Sequence, residues 1–126
     1  MSTQYDKGLK LLNQLHGGHT GEEIVKAFGD ISPNMLKWTI EWGFGEVLSN
    51  PALDLKTREL TIIASLIAQP ASPQLKAHLE AALNAGAREA EIVAMIEQLA
   101  IYVGFPTACN AMILAKEVFQ NIKTGS

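Results

Sequence analysis

Apolar residues along this chain recur at three- and four-residue spacing and almost nowhere in strict alternation. The gaps between the periodic runs hold Gly, Pro, Ser, Asn and Asp. Side chains three and four apart share one face of an α-helix, and the residues in the gaps are those that cap helices or make turns. The pattern predicts an all-α fold: a single domain over residues 1–126, built as a bundle of about six or seven helices. A first helix is expected over residues 5–15, ending at Gly17-Gly18. A second begins with Thr20 as N-cap and Glu23 three residues on, the spacing of a capping box. Ser32 caps a third, with Pro33 at its first position, where a missing N–H removes no helical bond. This helix runs through Trp38, Trp42 and Phe44 toward Ser49. Asp54 caps a fourth that reaches about Ala68, and Ser72 with Pro73 opens a fifth that stops near Gly86. A sixth covers residues 89–103, and Pro106 opens a seventh.

Two of these helices carry a polar residue on an apolar stripe. In the fifth, Leu75, His78, Leu79 and Ala82 stand at i, i+3, i+4 and i+7, which turns the imidazole inward. In the fourth, Leu55, Glu59, Ile62, Ile63 and Leu66 make a similar stripe with a carboxylate in it. Burying either group alone is costly, so the two are expected to face each other or a shared pocket. The residue types leave open whether they form a satisfied core pair or a reactive one. Arg58 lies about 100° round the helix from Glu59, on the face of Thr61 and Ser65, where it either receives an anionic ligand or is solvated. Glu46 follows Trp38, Trp42 and Phe44; large aromatics beside a carboxylate suit proton transfer, although such aromatics are more often core. His16 and His19 flank the Gly-Gly pair without a third ligand and read as loop residues. Cys109, with no second cysteine to resolve it, reads as a small buried apolar residue.

Composition narrows the partners. The chain has 126 residues, of which 48% are apolar, enough to bury one core. Ten basic residues against thirteen acidic ones give a net charge of −3, with no basic run, so nucleic acid is not an expected partner. No apolar stretch approaches the roughly 20 residues that span a bilayer, so no membrane partner is expected either. A single cysteine and a polar start to the chain point to a cytoplasmic protein. The fourth helix is apolar around most of its circumference, through Leu60, Ile62, Ile63, Ala64, Leu66 and Ile67, which predicts self-association. Phosphate-cradling, zinc-protease and serine-hydrolase motifs are missing from the sequence, which leaves acid and base chemistry.

Residues 44–111 resemble the carboxymuconolactone decarboxylase family. The matching stretches are F-G-E-V-L-S at 44–49, K-T-R-E-L-T at 56–61, Q-L-K-A-H-L-E-A-A-L-N-A-G at 74–86 and I-Y-V-G-F-P-T-A-C-N-A at 101–111. The resemblance implies an alkylhydroperoxidase D-like helical fold that assembles as trimers or hexamers. Peroxidase-type members of that superfamily have a glutamate, then C-x-x-C, then a histidine four residues after the second cysteine. Glu59 and His78 match the glutamate and histidine, whereas the cysteine positions fall on Ala71 and Gln74. The resemblance therefore implies the decarboxylase side: a carbon–carbon lyase needing neither metal nor organic cofactor. Its implied substrate is a carboxylated unsaturated lactone such as 4-carboxymuconolactone, in aromatic catabolism of the β-ketoadipate type. His78 is then the implied proton donor and Glu59 the group that orients it. Arg58 would hold a substrate carboxylate or the lactone oxygen, with Glu46 a weaker substrate-binding candidate. Two other classes stay open: an alkylhydroperoxidase-like oxidoreductase or stress-related protein without intrachain dithiol chemistry, and a non-catalytic oligomer that binds small molecules. In each reading the partners are a small molecule and further copies of the chain.

Overall fold

The computed structural model describes residues 2–18, 20–69 and 73–125, with Thr20 described by its backbone alone. His19, Ala71, Ser72 and the side-chain cap expected of Thr20 thus lie outside the described residues. Every regular element among those described is helical, as the periodicity predicts. The chain divides into two compact units, Met1–Asp54 and Leu55–Ser126.

In the first unit, α1 spans Thr3–His16. Its orphan N-terminal donors find Ser2, whose hydroxyl accepts from the Tyr5 N–H at 3.0 Å, and it stops at Gly17, whose φ of 93° suits a residue without Cβ. Helix α2 (Thr20–Ile24) runs on as a π-helical turn over Val25–Gly29. Helix α3 (Pro33–Lys37) starts where Ser32 and Pro33 place it, with the Ser32 hydroxyl accepting from the Met35 N–H at 3.2 Å. It continues as a π-helix over Trp38–Val47, and the bond from the Leu48 N–H to the Gly43 carbonyl at 2.9 Å keeps the i→i+5 register.

The position of two aromatics on this segment corrects one expectation. Trp38 and Trp42, read as core, are 55% and 61% exposed. The π segment packs on α1 with Ile40, Phe44 and Gly45, all buried, and Trp38 and Trp42, each two residues before Ile40 and Phe44, fall on the opposite side of the helix. The two helices cross at glycines: a Cβ on Gly8 would overlap the Ile40 carbonyl, and one on Gly45 would overlap the Gln4 carbonyl.

In the second unit, α4 spans Leu55–Ile67, α5 Gln74–Asn84, α6 Glu89–Tyr102 and α7 Phe105–Thr124. Helix α4 begins directly after Asp54, and Gly86 and Gly104, with φ of 98° and 109°, make the turns that follow α5 and α6. Ile63, Leu79, Ile92, Ile96, Ala115 and Val118 are fully buried and form the core. The inward stripe of α7 is Ala108, Ala111, Ala115 and Val118, small residues that let the neighbouring helices approach closely. Cys109 sits one residue beyond that stripe, about 100° round the helix, and is exposed rather than buried as expected. Among the described residues no helix is long and apolar enough to cross a membrane.

Candidate active site

Helix α4 buries three positions at four-residue spacing: Glu59, Ile63 and Ile67. Glu59 is 1% exposed, a carboxylate at a position where the next two turns carry isoleucine. A carboxylate gives up strong hydration when buried, so it persists there only if a donor replaces the water. The donor comes from α5, where the apolar spacing of Leu75, Leu79 and Ala82 brings His78 onto the same seam. Its Nδ1 lies 2.7 Å from Glu59 Oε1, with the imidazole only 16% exposed. Among the described residues no buried side-chain nitrogen or oxygen lacks a hydrogen-bond partner, so the arrangement is electrostatically closed.

The pairing constrains the imidazole. An ionised carboxylate only accepts hydrogen bonds, so Nδ1 carries the proton in this contact. A buried carboxylate also supplies the counter-charge that an imidazolium needs at low dielectric. The arrangement is that of an oriented general acid or base.

Arg58 precedes Glu59 on α4, half-buried, its carbonyl accepting from the Thr61 hydroxyl at 2.8 Å. Glu46 belongs to the first unit, on the π segment, exposed and 3.4 Å from the Gln4 side-chain amide. Trp38 and Trp42 are exposed, as Glu46 is, so they form no buried apolar setting for that carboxylate. His16, read as a loop residue, is the last residue of α1 and stands edge-on to Phe44, ring centres 6.0 Å apart. Gln74, at one of the two cysteine positions of the peroxidase-type pattern, is the first residue of α5 and is exposed.

A second polar contact ties the site's helix to its neighbour. Glu91 on α6 accepts from the Arg88 N–H at 2.9 Å and pairs with Lys56 of α4 at 3.1 Å. The backbone hydrogen bond, then the Lys56 ammonium, hold the Glu91 carboxyl below its ordinary value.

The carboxymuconolactone decarboxylase family model matches residues 33–117, a span that includes the whole of α4, α5 and α6. The chain belongs to this family. A 4-carboxymuconolactone decarboxylase from Acinetobacter baylyi is 29% identical over 119 residues, covering 94% of this chain and 89% of the relative. A nitrosuccinic acid decarboxylase from Metarhizium robertsii is 28% identical over 118 residues, covering 94% and 82%. An uncharacterized 15.0 kDa protein from Paracoccus denitrificans is 32% identical over 114 residues, covering 79% and 85%. Family membership and two relatives named as decarboxylases support a decarboxylase of this family.

Proposed function

We propose that the protein is a cofactor-independent decarboxylase of a small organic acid in which the carbon bearing the departing carboxylate is attached to an electron-accepting group, with 4-carboxymuconolactone as the foremost substrate. The observation that carries this reading is the contact at 2.7 Å between His78 Nδ1 and the buried Glu59 carboxylate. The names of two relatives support the reaction type. In an unsaturated lactone the carbonyl takes up the electron pair through the double bond, and in nitrosuccinic acid a nitro group does so directly. The substrate in each case carries its own electron sink.

In the proposed step, the bond between the ring carbon and its carboxylate breaks and carbon dioxide leaves. The electron pair moves into the conjugated lactone carbonyl, and the resulting dienolate takes a proton at the carbon α to that carbonyl. His78 gives this proton from Nε2 and recovers it from solvent, while Glu59 holds the ring by its Nδ1–H and balances its charge. Arg58 holds a carboxylate or the lactone oxygen, a task that suits a planar guanidinium. Glu46 is the weaker substrate-binding candidate. We place the enzyme in the cytoplasm as a homotrimer or homohexamer.

Incubation with 4-carboxymuconolactone, followed by loss of the unsaturated-lactone absorbance and release of carbon dioxide, tests the proposal. No turnover under conditions where the Acinetobacter baylyi enzyme is active overturns the substrate assignment. Turnover that survives His78→Gln overturns the mechanism.

A further inference from the structure

A cleft of about 690 Å³ opens in the second unit at the C-terminal turn of α4, between the first turn of α5 and the N-terminal half of α7. Leu66, Leu75, Ala111 and Leu114 give it apolar walls, and Thr107 and Asn110 add a hydroxyl and an amide. We propose that this cleft binds the uncharged, oxygen-bearing body of the substrate, with Thr107 and Asn110 donating hydrogen bonds to its oxygen. The inference rests on the decarboxylase reading of the Glu59–His78 pair and adds the specificity-determining residues.

Four observations lead to it. The volume falls in the range of about 300–1,000 Å³ typical of small-molecule sites, and mostly apolar walls with a few polar groups are the usual composition of such sites. Second, no charged side chain belongs to the lining among the described residues, so a carboxylate placed here would lose hydration without gaining a counter-charge. The cleft thus selects a neutral group such as a lactone, ester or ketone.

Third, Thr107, Asn110, Ala111 and Leu114 stand at i, i+3, i+4 and i+7 on α7 and present one face to the cleft. Among the described residues neither the Thr107 hydroxyl nor the Asn110 amide is engaged in a hydrogen bond. By contrast the nearby Gln69 amide already donates to the Ser65 carbonyl at 3.1 Å. Thr107 and Asn110 are therefore the donors on hand for a ligand oxygen.

Fourth, the cleft continues the seam that holds the reactive pair. Leu75 precedes His78 by one turn on the same face of α5, about 4.5 Å along the axis at 1.5 Å per residue. Leu66 follows Glu59 by two turns of α4, about 10 Å on. A molecule about 5–10 Å long reaches from the pair into the cleft, its carboxylate toward His78 and Arg58 and its neutral end against α7. The sequence reading passed over Thr107 and Asn110, although their spacing with Ala111 and Leu114 is the same stripe logic that singled out His78.

The test uses 2(5H)-furanone, a neutral unsaturated lactone without a carboxylate, titrated into the full-length protein and followed by NMR of side-chain amides and leucine methyls. Saturable shifts are expected at Asn110, Leu66, Leu75 and Leu114. The double variant Thr107→Val with Asn110→Leu should weaken binding about 10- to 100-fold, the effect of roughly two hydrogen bonds. Leu114→Trp, which fills the cleft, should abolish it, and with 4-carboxymuconolactone Asn110→Leu should raise KM more than it lowers kcat. Shifts confined to other residues, or equal affinity in the folded double variant, overturn the cleft assignment even if decarboxylation proceeds normally. Saturable binding at these residues in a protein that decarboxylates no acid supports the cleft and overturns the proposed function instead.

Discussion

The carboxylate of Glu59 and the imidazole of His78 are 19 residues apart in the chain and 2.7 Å apart in space, one supplied by each of two consecutive helices. If the imidazole transfers the proton, His78→Gln should lower turnover by about 100- to 10,000-fold, the usual contribution of a general acid or base. The helical circular dichroism should persist. Glu59→Gln should lose less, since an amide still meets the ring, and the double variant should be no slower than His78→Gln because the pair acts as a unit. Steady-state kinetics on 4-carboxymuconolactone decide the matter, and near-normal rates for His78→Gln would make the pair a core contact only.

Gly8→Ala should destabilise the protein by about 1–3 kcal/mol, the usual consequence of forcing a methyl into a tight contact. The added Cβ meets the Ile40 carbonyl, which is backbone and cannot rotate aside. Thermal denaturation measures the change, and an unaltered midpoint would show that α1 and the π segment are not so closely crossed.

Glu91 gives a sign for the acid limb of stability. Its folded-state value lies below the ordinary 4.5, through the Arg88 backbone hydrogen bond first and then Lys56. The unfolded chain therefore binds this proton more readily. The stabilisation is present in full above pH 4.5 and is lost as pH falls through the lower folded-state value. Melting midpoints of the parent and of Glu91→Gln should differ at neutral pH and converge toward strongly acid pH. A constant difference across that range contradicts the assignment.

Because Cys109 is exposed, a thiol reagent should label it in the folded protein without unfolding it, and Cys109→Ser should keep full turnover. Dialysis against a chelator should also leave turnover unchanged. Activity lost on chelation and restored by one divalent ion would put a metal on the Glu59–His78 pair in place of a simple proton relay.

Large apolar side chains remain in water in both units taken separately: Trp38 and Trp42 in the first, and Ile101, Tyr102, Phe105 and Ile113 in the second, the last four all about 70–80% exposed. Patches of that kind mark association surfaces. Light scattering after size exclusion should give three or six times the chain mass of 13.6 kDa. A monomer at micromolar concentration would contradict the expected assembly.

Helix identity was legible in the sequence wherever local chemistry decides it. Ser32 with Pro33 starts α3 in the expected place, and the stripes around Glu59 and His78 pointed both residues inward. The failures occur where side-chain type was used in place of helical position. Trp38 and Trp42 were assigned to the core for their size, but their place two residues before Ile40 and Phe44 puts them on the opposite face of the helix. Cys109 was assigned inward as a small apolar residue, although the alanine stripe of α7 already places it off that face. His16 was assigned to a loop because glycines follow it, yet the helix runs up to the first of them.

The π segment makes chain length, as much as residue identity, a determinant of the first unit. An i→i+5 turn holds one more residue than an α turn, so Trp38–Val47 contains residues that an α-helix of equal rise would not accommodate. Removal of a single residue there would let the segment relax to the commoner winding and rotate everything after it by about 100°. Phe44 and Gly45 would swing away from α1, and Glu46 would move toward the place that Gly45 holds. The segment behaves as a mechanical spacer: it tolerates exchanges of its outward side chains far better than a change in their number.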